Sequence, residues 1–261
     1  MTIFTPFAIG RAFTARQPPA RPAVRRRALR SFIATCVLAS AGGAHAQDAA
    51  IPAFKTLDSM EARMQGCVTC HGQSGQGTSN EYFPRIAGKP AAYLYNQLVA
   101  FRDAKRVYPP MNYLMAYLPD AYLRDIAEHF AKQRPAFKPK QPPAADAAVV
   151  ARGTAIALKG DPSKQVPACI TCHGSGLTGM EPGIPGLVGL SSSYIVAQLT
   201  RWRKGNRQAP QPDCMKRIAE RLSEADVHAV ASWLASQDAP ANVSPASSNL
   251  QKMPMACGSQ M

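Results

Sequence analysis

The pentapeptide CVTCH, at Cys67–His71, returns as CITCH at Cys169–His173, and a glycine follows each copy. Two cysteines three positions apart, with a histidine directly after them, are the pattern that attaches a c-type haem. The two thiols add to the vinyl groups of one porphyrin, and the imidazole becomes the proximal ligand of its iron. A zinc half-site normally needs a second cysteine pair, and a thioredoxin-like redox pair does not require the histidine. The sequence therefore predicts two covalently bound haems c, with Cys67, Cys70, Cys169 and Cys172 on the porphyrins and His71 and His173 on the irons.

Residues 1–46 have the features of an export signal: a basic stretch VRRRALR, an apolar stretch SFIATCVLASA and the small residues AHA before Gln47. We expect this signal peptide to be cleaved and the protein to be released into the periplasm, where disulfides persist. A retained, uncleaved anchor is the alternative. No later stretch reaches the length of a membrane helix, so we expect a protein that does not span the membrane, although it can dock at membrane complexes.

The formal net charge of +14 is concentrated at the beginning of the chain. Residues 1–46 hold seven arginines and no acidic residue, which leaves 23 basic and 16 acidic residues, or +7, in the remainder. Four haem propionates would lower this to about +3. No basic helix with base-reading side chains accompanies the charge, and we expect no nucleic-acid partner.

Beyond residue 47 the chain repeats itself with a period of 101 to 104 residues, which is the length of a duplicated domain. FPRIAG at Phe83–Gly88 returns as IPGLVG at Ile184–Gly189, and YLYNQL at Tyr93–Leu98 returns as YIVAQL at Tyr194–Leu199. A proline-rich segment separates the copies and predicts an extended linker. The predicted organisation is a signal peptide at 1–46, a first haem domain at 47–134, a linker at 135–147, a second haem domain at 148–238 and an extended tail at 239–261.

Helices are predicted on both sides of each motif. Asp58 with Glu61, and Asp146, indicate helix starts ahead of the two motifs, and Ser223 with Asp226 indicates a capping box for a closing helix. The closing segments carry apolar residues at i, i+3, i+4 and i+7, which predicts one buried helical face in each. No stretch alternates with period two, so we predict an all-α fold. The two matching apolar sets are Leu123, Ile126, Ala127 and Phe130, and Val227, Val230, Ala231 and Leu234.

One methionine lies seven residues before the start of each closing segment: Met111 is 40 residues after His71, and Met215 is 42 residues after His173. We expect both on irregular loops that fold over the distal face of a haem and supply the sixth iron ligand. A thioether sulfur stabilises iron(II) and raises the reduction potential. The alternative is that these methionines fill gaps in the core, and Met115 is a competing ligand in the first half.

The remaining cysteines predict a disulfide. Of seven cysteines, Cys36 lies in the signal and four bind haem, which leaves Cys214 and Cys257. An exported protein seldom keeps two idle thiols, so we expect a bridge that ties the tail over one edge of the second haem. Free thiols, or an intermolecular link, are the alternatives.

Basic side chains cluster at the ends of two equivalent predicted helices. Positive charges are favourable at the C-terminus of a helix, so a solvated helix end is one interpretation of these clusters. Docking of an acidic redox partner is the other. The residues concerned are Arg102, Lys105, Arg106, Arg201, Arg203, Lys204 and Arg207.

Over about residues 58–238, the two haem motifs, the proline segments, the YxxxQL segments and the methionine register together resemble the dihaem cytochrome c4 family. The resemblance implies an all-α fold of two tandem cytochrome c-like domains, each a small helical bundle around its haem. It also implies that Pro84 and Pro185 offer backbone carbonyls to His71 and His173, and that the haems face each other across the interface between the domains.

Members of that family shuttle single electrons in the periplasm, commonly toward a terminal oxidase. The resemblance therefore implies a monomeric electron carrier of a respiratory chain rather than an enzyme. Its partners would be redox proteins such as a cytochrome oxidase or a quinol-oxidising complex. The alternative is a haem enzyme or enzyme subunit, either thiosulfate dehydrogenase-like, peroxidase-like or the electron-acceptor subunit of a dehydrogenase, and Cys214 keeps that alternative open as a possible iron ligand.

Overall fold

The computed structural model describes residues 56, 58–78, 80, 82–140, 142–143, 145–248 and 252–260. The predicted signal peptide lies outside these residues, and the domain limits given above stay predictions. Within the described part of the chain, no helix is both long and apolar enough to cross a membrane.

The first half is helical. Its described elements are α1 (Met60–His71), α2 (Ala91–Arg102), α3 (Pro109–Met115) and α4 (Asp120–Lys132). Helix α1 is capped by Ser59, whose hydroxyl accepts a hydrogen bond from the Ala62 amide at 3.2 Å. Asp58, which the sequence indicated as the start, instead pairs with Arg63 at 2.8 Å.

The second half repeats this plan with one helix divided in two. Its described helices are α5 (Ala147–Lys159), α6 (Cys169–His173), α7 (Ser192–Arg203), α8 (Cys214–Arg221) and α9 (Glu224–Ala235). Asp146 caps α5 as predicted, accepting from the Val149 amide at 2.9 Å. The strands β1 (Gly179–Met180) and β2 (Ile184–Pro185) form an antiparallel pair of two residues each. A hairpin this short has no periodicity to recognise, and the prediction of a helical fold is confirmed.

Both closing helices bury the faces that the sequence predicted. All four apolar residues of the predicted α4 set are buried, and so are all four of the α9 set. The capping box of Ser223 and Asp226 is also present at the start of α9. Helix α9 is also buried outside its predicted face, because α5 packs against it. At the crossing, a Cβ atom on Gly153 would lie 2.1 Å from the Ala229 carbonyl oxygen, so the two backbones approach as closely as glycine allows.

We predict that Gly153→Ala lowers the free energy of unfolding by about 1–3 kcal/mol, because the added methyl group forces α5 away from α9. Denaturant unfolding of the haem-loaded protein measures this loss. The matched control is Gly66→Ala in α1, where the nearest atom to the added Cβ, on Leu114, is 4.0 Å away. That change should leave stability equal or raise it by up to about 1 kcal/mol, since alanine favours a helix. Equal losses in the two variants would contradict the close α5–α9 crossing.

Candidate haem sites

The two attachment motifs lie on helices in different settings. CVTCH forms the end of α1, whereas CITCH is the short helix α6, separated from α5 by residues 160–168. Residues three apart share a face of a helix, so both thiols of a pair lie on the same side. Gly72 and Gly174 follow the motifs with φ of 81°, a conformation that favours glycine. The chain can therefore turn away directly behind each histidine.

Each histidine is oriented by a backbone carbonyl. His71 Nδ1 lies 3.0 Å from the Pro84 carbonyl oxygen, and His173 Nδ1 lies 2.7 Å from that of Pro185. A carbonyl only accepts, so Nδ1 carries the proton in both rings and Nε2 keeps a lone pair for a metal. The expectation drawn from the family resemblance is confirmed at both positions.

Burial favours the neutral forms of the groups that would hold the haems. It lowers the pKa of His173 to about 4 and also lowers the pKa of His71, although the proline carbonyl opposes the shift in both cases. Both imidazoles are thus neutral at pH 7, as ligation requires. Burial raises the pKa of the Cys67 thiol to about 11 and that of Cys169 to about 12.

The two candidate axial methionines lie on helices, so the prediction of irregular loops is wrong. Met111 is in the first turn of α3 and Met215 in the first turn of α8. Helix α3 tolerates Pro109 because a first-turn amide has no partner within the helix. In front of α8, Asp213 accepts from the Lys216 amide at 2.9 Å and so caps the helix. The two methionines nevertheless occupy equivalent positions in the repeat, and this part of the prediction agrees with the structure.

Asn112, beside Met111, holds α3 in place. Its side-chain amide donates to the carbonyls of Phe101 at 2.6 Å and Arg106 at 2.8 Å, and its oxygen accepts from the Tyr108 amide at 2.8 Å. A single side chain thereby joins α3 to the end of α2. The position of Met111 is fixed by these three hydrogen bonds.

A large cavity in the second half brings the predicted haem residues together. It contains about 1260 Å³ of empty space, including its mouth, and Cys169, Cys172, His173 and Met215 all line it. The thiols, the imidazole and the thioether that a c-type haem requires therefore surround one cavity.

Two unpaired donors in the second half fit the acidic groups of a haem. Trp202 Nε1 and Arg207 Nε are buried without a hydrogen-bond partner among the described residues, and both side chains line the cavity. The Arg207 guanidinium also stacks 3.7 Å above the Trp202 ring. A buried donor without an acceptor is costly, and the propionate carboxylates of a haem are acceptors of the required charge. Trp202 and Arg207 are therefore the residues that would hold the propionates of the second haem.

Arg106 and Arg207 form the centre of the contact between the two halves. Their exposed fractions are 8% and 4%, and the backbones at the two residues meet in an antiparallel bridge. Each arginine binds the glutamine of its own half and the glutamine and tyrosine of the other half. Arg106 donates to Gln97, Tyr194 and Gln198 at 2.8, 2.9 and 2.9 Å, and Arg207 donates to Gln198, Tyr93 and Gln97 at 2.9, 3.1 and 3.1 Å.

The prediction that all the clustered basic residues either dock a partner or face solvent is therefore wrong for Arg106 and Arg207. Burial against the opposite half removes them from any docking surface. Arg102 is also engaged, since it pairs with Asp103 at 3.0 Å and with Asp120 at 2.6 Å. The exposed members of the clusters are Lys105, Arg203 and Lys204.

Sequence reasoning missed two further buried cations, Arg85 and Lys89, on the loop that follows Pro84. Arg85 donates to the carbonyls of Pro135 at 2.7 Å and Ala136 at 3.1 Å. Lys89 is 7% exposed and donates to the Gly186 carbonyl at 2.7 Å. Burial lowers the pKa of Lys89 to about 7, and the charges of Arg85 and Arg207 act in the same direction. A comparison of the two repeats could have drawn attention to Lys89, because its counterpart in the second half is the apolar residue Leu190.

The C-terminal segment, residues 252–260, packs on the second half beside the cavity. The Sγ atoms of Cys214 and Cys257 lie next to each other, and both cysteines pack with Met180 and Ile184. Met255 and Ser259 of this segment line the cavity together with Met215. The arrangement agrees with a bridge that holds the tail at the second haem site, and the bridge itself stays a prediction.

No protein-family model matches the chain. Over 171 residues it is 40% identical to the thiosulfate dehydrogenase electron acceptor of Thiomonas intermedia, covering 66% of this chain and 78% of that relative. Over 176 residues it is 34% identical to cytochrome c4 of Pseudomonas aeruginosa, covering 67% and 85%.

Two solved structures have the same fold over most of the described residues. Reduced recombinant cytochrome c4 from Pseudomonas stutzeri matches with a TM-score of 0.59 and 28% identity, over 68% of this chain and 96% of that one. The as-isolated thiosulfate dehydrogenase TsdBA of Marichromatium purpuratum matches with a TM-score of 0.59 and 32% identity. That match covers 66% of this chain and only 36% of the dehydrogenase chain.

We predict that both irons carry a methionine ligand. Met111→Ala and Met215→Ala should each remove one of two contributions to the weak red absorption from sulfur-to-iron charge transfer and lower one reduction potential. Absorption spectra of the oxidised protein and potentiometric titration measure both effects. Met115→Ala is the control, because Met115 is buried in α3 but has no methionine at its repeat position. An unchanged spectrum in Met215→Ala, together with a changed one in Cys214→Ser, would assign the second ligand to cysteine instead.

We predict a disulfide between Cys214 and Cys257. The bridge closes a loop with a sequence separation of 43 residues, which the chain-entropy model values at about 4 kcal/mol. Mass spectrometry of the unreduced protein should find a peptide pair joined at these cysteines. Cys257→Ser should lower stability but leave the red absorption intact, since the sulfur of Cys214 is not expected to bind iron. Two alkylatable thiols in the native protein would rule the bridge out.

Proposed function

The chain belongs to the dihaem cytochrome c4 family, and we propose that it accepts electrons from a thiosulfate dehydrogenase and delivers them to a terminal oxidase. It carries two covalently bound haems c and transfers electrons one at a time, as its relatives named cytochrome c4 and electron acceptor do. The electron donor, the electron acceptor and the direction of transfer are the parts that we propose.

The similarity to an electron acceptor of thiosulfate dehydrogenase is the observation that carries this proposal. Identity to that relative is 40%, against 34% for the cytochrome c4 of Pseudomonas aeruginosa. The solved thiosulfate dehydrogenase supports it independently, since part of one dehydrogenase chain has the fold of this protein. We infer that a separate thiosulfate dehydrogenase docks on this protein as its electron donor.

The geometry supports a carrier rather than a catalytic subunit. An electron carrier needs closed iron sites that change by one electron with little rearrangement, and it needs no acid, base or substrate cavity. Cys214 was the residue that favoured an enzyme with a cysteine-ligated iron. Cys214 packs with Cys257, Met180 and Ile184, which supports a structural role for Cys214 in place of iron ligation.

We place this exchange in the periplasm, where the predicted export signal would deliver the chain and where haem attachment and disulfides both occur. A quinol-oxidising complex is the second class of donor that the two haems could serve. Within the two basic clusters, the exposed cations Lys105, Arg203 and Lys204 are available to attract an acidic partner. Opposite charges of this kind accelerate the encounter of two proteins more than they tighten the complex.

We predict that thiosulfate dehydrogenase, mixed with thiosulfate and this protein without oxygen, reduces both haems. The second-order rate should fall as ionic strength rises from about 10 to 150 mM, because the screening length shrinks from roughly 30 to 8 Å. Stopped-flow absorption measures the rate. Lys204→Glu should slow it and flatten its salt dependence, and Lys159→Glu, an exposed lysine at the end of α5, is the matched control.

Two further mixtures separate the alternatives. Thiosulfate alone should leave both haems oxidised, and their reduction without the dehydrogenase would make this chain an enzyme in its own right. If the dehydrogenase fails to reduce the protein while a quinol-oxidising complex succeeds, the donor that we propose is wrong.

A further inference from the structure

The two halves share the arginine and the glutamine of their contact but differ at Lys89. Arg106 corresponds to Arg207 and Gln97 to Gln198, and each member binds across the contact in the same way. Lys89 follows the segment FPRIAG, and the residue that follows IPGLVG in the second half is Leu190. One buried cation of the first half therefore has an apolar counterpart in the second half.

The Lys89 amine reaches the proximal side of the second haem site. Its Nζ atom donates to the Gly186 carbonyl at 2.7 Å, across a sequence separation of 97 residues. Gly186 directly follows Pro185, whose carbonyl orients His173 at 2.7 Å. Lys89 and His173 line the same cavity, and the charge of Lys89 is among the causes that lower the pKa of His173. The amine and the imidazole are thus electrostatically coupled.

No carboxylate of the described residues pairs with this charge. None of the ion pairs between described residues involves Lys89. The charged protein groups that act on it are Arg85 and Arg207, which are also cations. A charge in a buried setting acts on its neighbours far more strongly than one in water, since the effective dielectric constant is lower. Haem propionates would offset part of the positive charge at the contact, but the two arginines occur in both halves, whereas Lys89 has no basic counterpart.

We propose that Lys89 of the first half sets the reduction potential of the second haem above that of the first. Oxidation adds one positive charge to the second site, and a fixed positive charge beside the proximal histidine opposes that addition. The exchange between the sites is a one-electron transfer, in which the first iron goes from iron(II) to iron(III) and the second from iron(III) to iron(II), with no bond made or broken. Electrons therefore collect on the second haem. This inference needs the two haems only and does not depend on which protein donates the electron.

The test is potentiometric titration of the haem-loaded protein at pH 6, below the lysine pKa of about 7. Lys89→Met should lower the reduction potential of the second haem. The electron equilibrium between the two haems should then shift toward the first haem at least tenfold, which corresponds to about 59 mV for one electron. The potential of the first haem should stay in place. The two sets of haem signals are distinguished by nuclear magnetic resonance contacts to the Trp202 indole, which lines the second cavity.

Two companion variants separate charge from other effects. Lys105→Met removes the same charge from an exposed position and should leave both potentials unchanged. Lys89→Gln keeps a donor for the Gly186 carbonyl without the charge, and it should behave as Lys89→Met does. Both changes at Lys89 remove a buried, uncompensated charge, so folded proteins are expected. Unchanged potentials in Lys89→Met, equal shifts of both haems, or wild-type behaviour of Lys89→Gln would each overturn the proposal.

Discussion

Each proximal imidazole is held by a hydrogen bond to a proline carbonyl, and the residues after that proline build the contact between the halves. In the first half the residue concerned is Lys89, and in the second half Gly186 is the acceptor that Lys89 uses. One loop in each half therefore orients an iron ligand and also touches the neighbouring half. A movement of one half relative to the other would disturb both imidazoles, because the loop that orients each imidazole also contacts the other half.

The contact itself is polar and positively charged. Gln97 and Gln198 each accept from both arginines, and the phenols of Tyr93 and Tyr194 complete the set. The planar guanidinium suits this arrangement because it offers several donors in one plane. All of these acceptors are neutral, so they satisfy hydrogen bonds without removing the charge. A contact built this way is suited to lie beside negatively charged haem edges.

The sequence predicts what depends on local spacing. The attachment motifs, the buried faces of α4 and α9 and the cap at Ser223 all follow from residues within one or two helical turns. The helix around Met111 was missed because it depends on Asn112 binding carbonyls of Phe101 and Arg106, which belong to another segment. Arg106 and Arg207 were misplaced for the same reason at longer range.

The location of Arg207 illustrates this limit. Its partners Tyr93 and Gln97 are 114 and 110 residues away in the chain, and a basic residue after a helix otherwise predicts a solvated end. No window of local sequence contains that information. The repeat contains part of this information, because residues at equivalent positions of two similar domains can meet where the domains touch. Arg106 and Arg207 are such a pair. The two repeats differ at Lys89, whose counterpart is Leu190. This difference is the sequence signal that distinguishes Lys89 from the paired arginines.

The C-terminal segment makes the second haem site depend on a part of the chain that follows the last long helix. Met255 and Ser259 form part of the wall of the second cavity, together with Met215. If the predicted bridge between Cys214 and Cys257 forms in the oxidising compartment to which the chain is exported, its formation would order this wall. Chemical reduction of the bridge would then act on the surroundings of the second haem and leave those of the first untouched.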